Sequence, residues 1–179
     1  MHESHRRTRR AGLAFLALVA LSATLGHAGT TTEMAAVWQT AADAPFAFTR
    51  FDSEFSLDTG LVYFLGGRLA DSGTDGTIWS FDPVTGDYAN TGVTLPVPIS
   101  NYEIARLIDG NGDEVLVVFG GRTAAGTVTT TVQGYFPVAN TTTTFASGPY
   151  PLATSPGGVT VAGNKAYVFG GFDAVVALS

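Results

Sequence analysis

The densest group of side chains able to do chemistry is the run Asp109-Gly110-Asn111-Gly112-Asp113-Glu114. Oxygen-bearing side chains at alternate positions, here Asp109, Asn111 and Asp113, open a calcium loop, because a hard cation gathers several carboxylate and amide oxygens. The run departs from that loop at its sixth position, where Glu114 replaces glycine, and at its twelfth, where Gly120 replaces a bidentate Glu. A polar hairpin turn accounts for the same residues without an ion. The second acidic stretch, Asp71-Ser72-Gly73-Thr74-Asp75-Gly76, reads as a solvated loop. Paired carboxylates of the glycosidase kind need a spatial separation that linear spacing does not specify. The remaining candidates are Arg68 and Arg122, each directly behind a Gly-Gly pair. Their alternatives are ligand contact and a salt bridge within a chain rich in acids.

Other chemistries lack their residues. Cysteine is absent, and histidine is confined to His2, His5 and His27. Those three fall in a segment that reads as an export signal over residues 1–28. A basic stretch ends at Arg10, an apolar run extends from Ala11 to Leu25, and Gly26-His27-Ala28 places small residues where a signal peptidase inspects them. The apolar run is interrupted by Ser22 and Thr24 and is short for a span of about 20 residues, so no membrane span is expected in the mature chain. Thr8-Arg9-Arg10-Ala11-Gly12-Leu13 loosely resembles a twin-arginine motif with Gly12 out of place, and the export route stays open. Cleavage after Ala28 leaves no His and no Cys, which removes histidine-based triads and the common zinc and copper sites. It also leaves 5 basic against 14 acidic residues, a formal charge of −9 that repels nucleic acid and anionic lipid. No cofactor, no nucleic-acid partner and no disulfide is therefore expected.

The elements that must position these residues repeat along the chain. Leu61-Val62-Tyr63-Phe64-Leu65 runs into Gly66-Gly67-Arg68, Val115-Leu116-Val117-Val118-Phe119 into Gly120-Gly121-Arg122, and Ala166-Tyr167-Val168-Phe169 into Gly170-Gly171-Phe172. The pairs recur at intervals of 54 and 50 residues, near the period of about 50 of one known repeat class. Each run is short and rich in β-branched and aromatic residues, which suits a strand covered on both faces and terminated by glycine. Asp58-Thr59-Gly60, the Asp109 run and Gly163-Asn164 supply tight turns back to inner strands near 51–57, 102–108 and 159–162. Third strands follow at 77–81 and 134–138, and fourth strands from Tyr88 and at 143–145. With charged residues at only 13%, and with 22 glycines and 8 prolines, the composition is that of strands and turns rather than helices.

These segments resemble kelch repeats, of the secreted kind found at the centre of galactose-oxidase-like proteins. The resemblance rests on the diglycines, on Phe81 before Asp82-Pro83, and on an aromatic ahead of a proline at each junction: Trp38 and Pro45, Tyr88 and Pro96, Phe145 and Pro151. It implies an all-β fold of β-propeller blades, about two complete and others partial. The expected organisation is a signal over 1–28, an N-terminal segment with a lone outer strand over 29–44, repeats over 45–98 and 99–152, and a partial repeat over 153–179. Rings of this type close with about four to eight blades, so the chain reads as an incomplete propeller, or as one that self-associates through open strand edges. The resemblance places Arg68 and Arg122 on one rim, where such domains engage ligands. It implies a secreted, periplasmic or cell-surface module without catalysis, which binds or scaffolds a protein or glycan. The alternatives are a fragment of a secreted carbohydrate-active or oxidative enzyme with its catalytic residues elsewhere, and a structural or adhesive surface protein. Copper oxidases on this scaffold use His, Tyr and a Cys-linked Tyr, and the His and Cys of that set are absent after residue 28. Trp38 and Trp79 are expected to pack between sheets.

Overall fold

The computed structural model describes residues 40–145 and 150–173, together with the backbone of 177–178. The export signal expected over 1–28 and the lone strand expected near 34–39 lie outside these residues. The described chain is all β: β1 (Ser53–Phe55), β2 (Val62–Arg68), β3 (Thr74–Phe81), β4 (Tyr88–Thr94), β5 (Glu103–Ile108), β6 (Glu114–Phe119), β7 (Val132–Phe136), β8 (Thr141–Thr144), β9 (Ser155–Ala162), β10 (Lys165–Phe172) and β11 (Ala177–Leu178). All ladders are antiparallel, and spatial order follows chain order: β1-β2-β3-β4 in sheet 1, β5-β6-β7-β8 in sheet 2 and β9-β10-β11 in sheet 3. Tight turns make these meanders. Gly163 and Asn164 both take positive φ, +55° and +57°, the turn whose twist matches two antiparallel strands. Asp109 and Asp113 close the β5–β6 turn with a 2.8 Å backbone bond.

One expectation needs correcting. Only β6 ends at its glycine pair; β2 and β10 run through theirs, to Arg68 and Phe172. The neighbouring strands follow the bend, with Gly67 opposite Asp75 and Gly171 opposite Pro156, so pairing resumes beyond it. After β6 the partner chain is irregular, and the pairing shrinks to single bridges from Arg122 to Ser100 and Val128. The requirement for glycine is steric. Gly66 has φ +74°, and a Cβ there would strike the Asp75 carbonyl oxygen; at Gly120, with φ +60°, it would strike that of Thr154.

Sheets 1 and 2 share the main core. The period-2 alternation of side chains puts Tyr63, Leu65 and Ile78 on the face of sheet 1 that meets sheet 2, where Ile104, Leu116, Val118 and Tyr135 receive them. The Tyr63 and Tyr135 rings meet edge to face at 5.1 Å. The opposite face of sheet 2 gathers Val115, Val117 and Val132 with Leu107, Phe119 and Phe145. β6 is thus apolar on both sides, as its unbroken run of branched residues requires. The first strands lie side by side, β1 beside β5 and β5 beside β9, so the three sheets fan from a common inner edge.

Candidate functional site

The diglycine end of the sheets is where the candidate arginines meet a shared framework. Arg68 exchanges backbone bonds with Thr49 at 2.8 and 2.6 Å, and Arg122 exchanges them with Ser100 at 2.9 and 2.7 Å. The residues that follow, Arg50 and Asn101, both adopt left-handed φ near +55°. The Asn101 N–H donates to the Arg50 carbonyl at 2.8 Å, and the Ser155 hydroxyl donates to the Asn101 carbonyl at 2.8 Å. A belt of hydrogen bonds therefore steps from sheet to sheet through equivalent positions and holds Arg68 and Arg122 at the same end.

Their side chains are half-buried, and among the described residues neither forms an ion pair. The Arg122 Nη1 donates to the Gly126 carbonyl at 3.2 Å and thereby closes the loop over 123–126. The sequence reading missed Arg50, which is exposed on this belt. With it, three of the five basic residues after residue 28 stand at this end. Asp71 and Asp75 share it, but their carboxylates accept from the Gly73 and Thr77 N–H groups of their own turns, at 2.9 and 2.6 Å.

Deeper in, the Tyr102 hydroxyl donates to the Leu65 carbonyl at 2.5 Å, and burial pushes its phenol well above the ordinary value. Asp52 accepts from the Ile104 N–H at 2.8 Å across the sheet boundary. Burial raises the Asp52 carboxyl above its usual range, against that bond and the one from Ser53, which lower it. Glu54 and Glu103 are raised too, first by burial and further by the negative charge of Asp52.

The other end is acidic, with Asp58, Asp82, Asp87, Asp109 and Asp113 in its turns. The calcium candidates Asp109, Asn111 and Asp113 lie here, and their geometry is that of the hairpin turn. The Asp109 Oδ1 accepts from the N–H groups of Asn111 and Asp113 at 2.8 and 3.0 Å, and its Oδ2 from the Asn111 amide at 3.2 Å. These bonds hold its carboxyl below the ordinary value. Among the described residues no three His, Cys, Asp or Glu side chains surround a common point.

Beside that turn a cavity of about 210 Å³ is lined by Asp58, Asp113, Glu114, Phe136, Val138 and Ala139. Glu114 is buried. Its Oε2 accepts from the Leu57 N–H at 3.0 Å and lies 3.5 Å from the Arg106 guanidinium, while its Oε1 has no partner among the described residues. The Asn140 side-chain amide donates to the Thr91 carbonyl at 3.0 Å. Trp79 packs against Phe46 at 5.6 Å within an aromatic cluster.

No protein-family model matches this chain, and no curated protein matches it.

Proposed function

We propose that this chain is an exported, kelch-like binding or scaffold module whose sheets are propeller blades, and that its diglycine end presents loops to a protein or glycan ligand without chemistry of its own. The observation that carries the reading is the hydrogen-bonded belt through Arg50, Asn101 and Ser155, which repeats from sheet to sheet and fixes Arg68 and Arg122 at one end. A rigid β frame with cationic side chains at one end, in an otherwise acidic chain, favours ligands that carry carboxylate or sulfate groups. Export follows from the leader over 1–28, and cleavage after Ala28 is expected.

The test is retention of the purified, fluorescently labelled chain on an array of acidic and neutral oligosaccharides and extracellular proteins. Retention on acidic members is expected. Substituting Arg68→Ala and Arg122→Ala together should weaken it by about tenfold or more, the scale of one lost charge-assisted hydrogen bond. Absence of retention, or retention indifferent to both substitutions, would refute the reading.

A further inference from the structure

Each sheet has a presenting face and a receiving face, and equivalent positions build them in every repeat. Counting from the first glycine of each pair, the presenting positions three and one before it are Tyr63 and Leu65 in sheet 1, Val117 and Phe119 in sheet 2, and Tyr167 and Phe169 in sheet 3. The receiving positions four and two before it are Val62 and Phe64 in sheet 1, and Leu116 and Val118 in sheet 2. Fifteen beyond it, on the third strand, stand Phe81 and Tyr135. The presenting face of sheet 1 is seated on the receiving face of sheet 2, with Tyr63 and Leu65 at 3% and 0% exposure.

At sheet 3 the series is open. Tyr167 and Phe169 are 47% and 60% exposed, although they occupy the positions of Tyr63 and Leu65. At the other end, the receiving face of sheet 1 carries, among the described residues, the segment around Phe46. Phe46 packs on Phe64 and Trp79 at 5.4 and 5.6 Å, and Phe81 on Tyr88 at 4.8 Å. Phe46 holds the place that Val97 holds in the next repeat, each three residues before the belt residue Thr49 or Ser100, and Val97 packs into the interface between sheets 1 and 2. It is therefore part of the receiving surface rather than a lid over it.

We propose that the Tyr167 and Phe169 face of sheet 3 is the docking surface for a second copy of this chain, which seats on it the Phe46, Phe64 and Phe81 face of its own sheet 1. The contact continues between copies the interface that sheet 1 makes with sheet 2 inside one. Tyr167 then meets Phe81 of the second copy as Tyr63 meets Tyr135. Such an interface is heterologous, since two different faces meet, and it either closes a ring or propagates. It needs neither a closed propeller nor the ligand proposed above.

The chain has no cysteine, so single thiols report cleanly. Tyr167→Cys and Phe81→Cys variants of the full chain would be treated with a short bismaleimide, separately and mixed, beside light scattering of the wild-type chain over a dilution series. Expected are cross-linked dimers in the mixture and not in either variant alone, and a mass that falls toward the monomer on dilution. Phe169→Asp should raise the dissociation constant by about 100-fold or more while leaving the circular dichroism unchanged, because it buries a charge at the centre of the contact. Three outcomes would overturn the proposal: a monomer at every concentration, cross-links within each variant as strong as in the mixture, or association that Phe169→Asp leaves intact.

Discussion

Asp52 shows how one carboxylate couples two sheets and makes their union depend on pH. Its Oδ2 takes the Ile104 N–H at 2.8 Å, a backbone donor that the inner edge of sheet 2 would otherwise leave unpaired. Burial has the larger effect on its proton affinity, so the folded carboxyl titrates above its ordinary value of 3.8, and Glu54 and Glu103 above theirs of 4.5. A carboxyl raised by folding binds protons more tightly in the native than in the unfolded state. Its contribution to stability is therefore greatest below the ordinary value and declines as pH rises through the folded value. Asp109, lowered by its turn, acts in the opposite sense and only below 3.8. The midpoint of urea unfolding should accordingly rise as pH falls from neutral toward the ordinary carboxyl values of 4.5 and 3.8. Asp52→Asn should flatten that rise while its amide oxygen keeps the Ile104 bond. A midpoint that falls over this window, or an unaltered slope in the variant, would contradict the assignment.

Between elements, the sheets are joined by side chains that pair with main chain. Gln133 on β7 is fully buried; its Oε1 accepts from the Val97 N–H at 2.7 Å and its Nε2 donates to the Val97 carbonyl at 3.0 Å. Asn164 does the same to Ile108, at 2.8 and 2.9 Å, but from an exposed turn. Gln133→Leu keeps the volume and strands both Val97 groups in an apolar interface, so a loss of about 2–4 kcal/mol in chemical denaturation is expected. A loss under about 1 kcal/mol would mean that water reaches Val97. None of this was legible in the sequence, because Gln133 stands at the position of Trp79 and neither residue type nor spacing marks an amide for another repeat's linker. The strands themselves were legible from short branched and aromatic runs bounded by Asp, Asn and Gly. β3 begins at Thr74, earlier than the apolar signal at Thr77, because Gly67 and Arg68 hold Asp75 and Thr74 in register. Arg68 and Arg122 announced themselves through the repeated diglycine. Arg50 did not, since only the bond from Asn101 ties it to them.

Across the whole molecule, stability should follow how completely each sheet is covered. Sheet 2 is packed on both faces, by sheet 1 on one side and by the inner part of sheet 3 on the other, and Leu116 and Val118 are fully buried. Beyond β9 its far face opens into a groove of about 380 Å³ lined by Leu107, Val115, Val117, Val132 and Phe145. Sheet 3 is covered on one side among the described residues, and Tyr167 and Phe169 on its other side face solvent. Local opening requires less free energy where fewer apolar contacts must break. Native-state hydrogen exchange in dilute solution should therefore show the amides of Leu116 and Val118 exchanging only through global unfolding, with those of β10 exchanging at least tenfold faster. Raising the protein concentration should slow β10 and leave β6 unchanged, because docking on the Tyr167 and Phe169 face adds the missing cover to sheet 3 and nothing to sheet 2. Equal protection of β6 and β10 in dilute solution would mean that the three sheets unfold as one unit, and that exposure of the sheet 3 face costs the fold nothing.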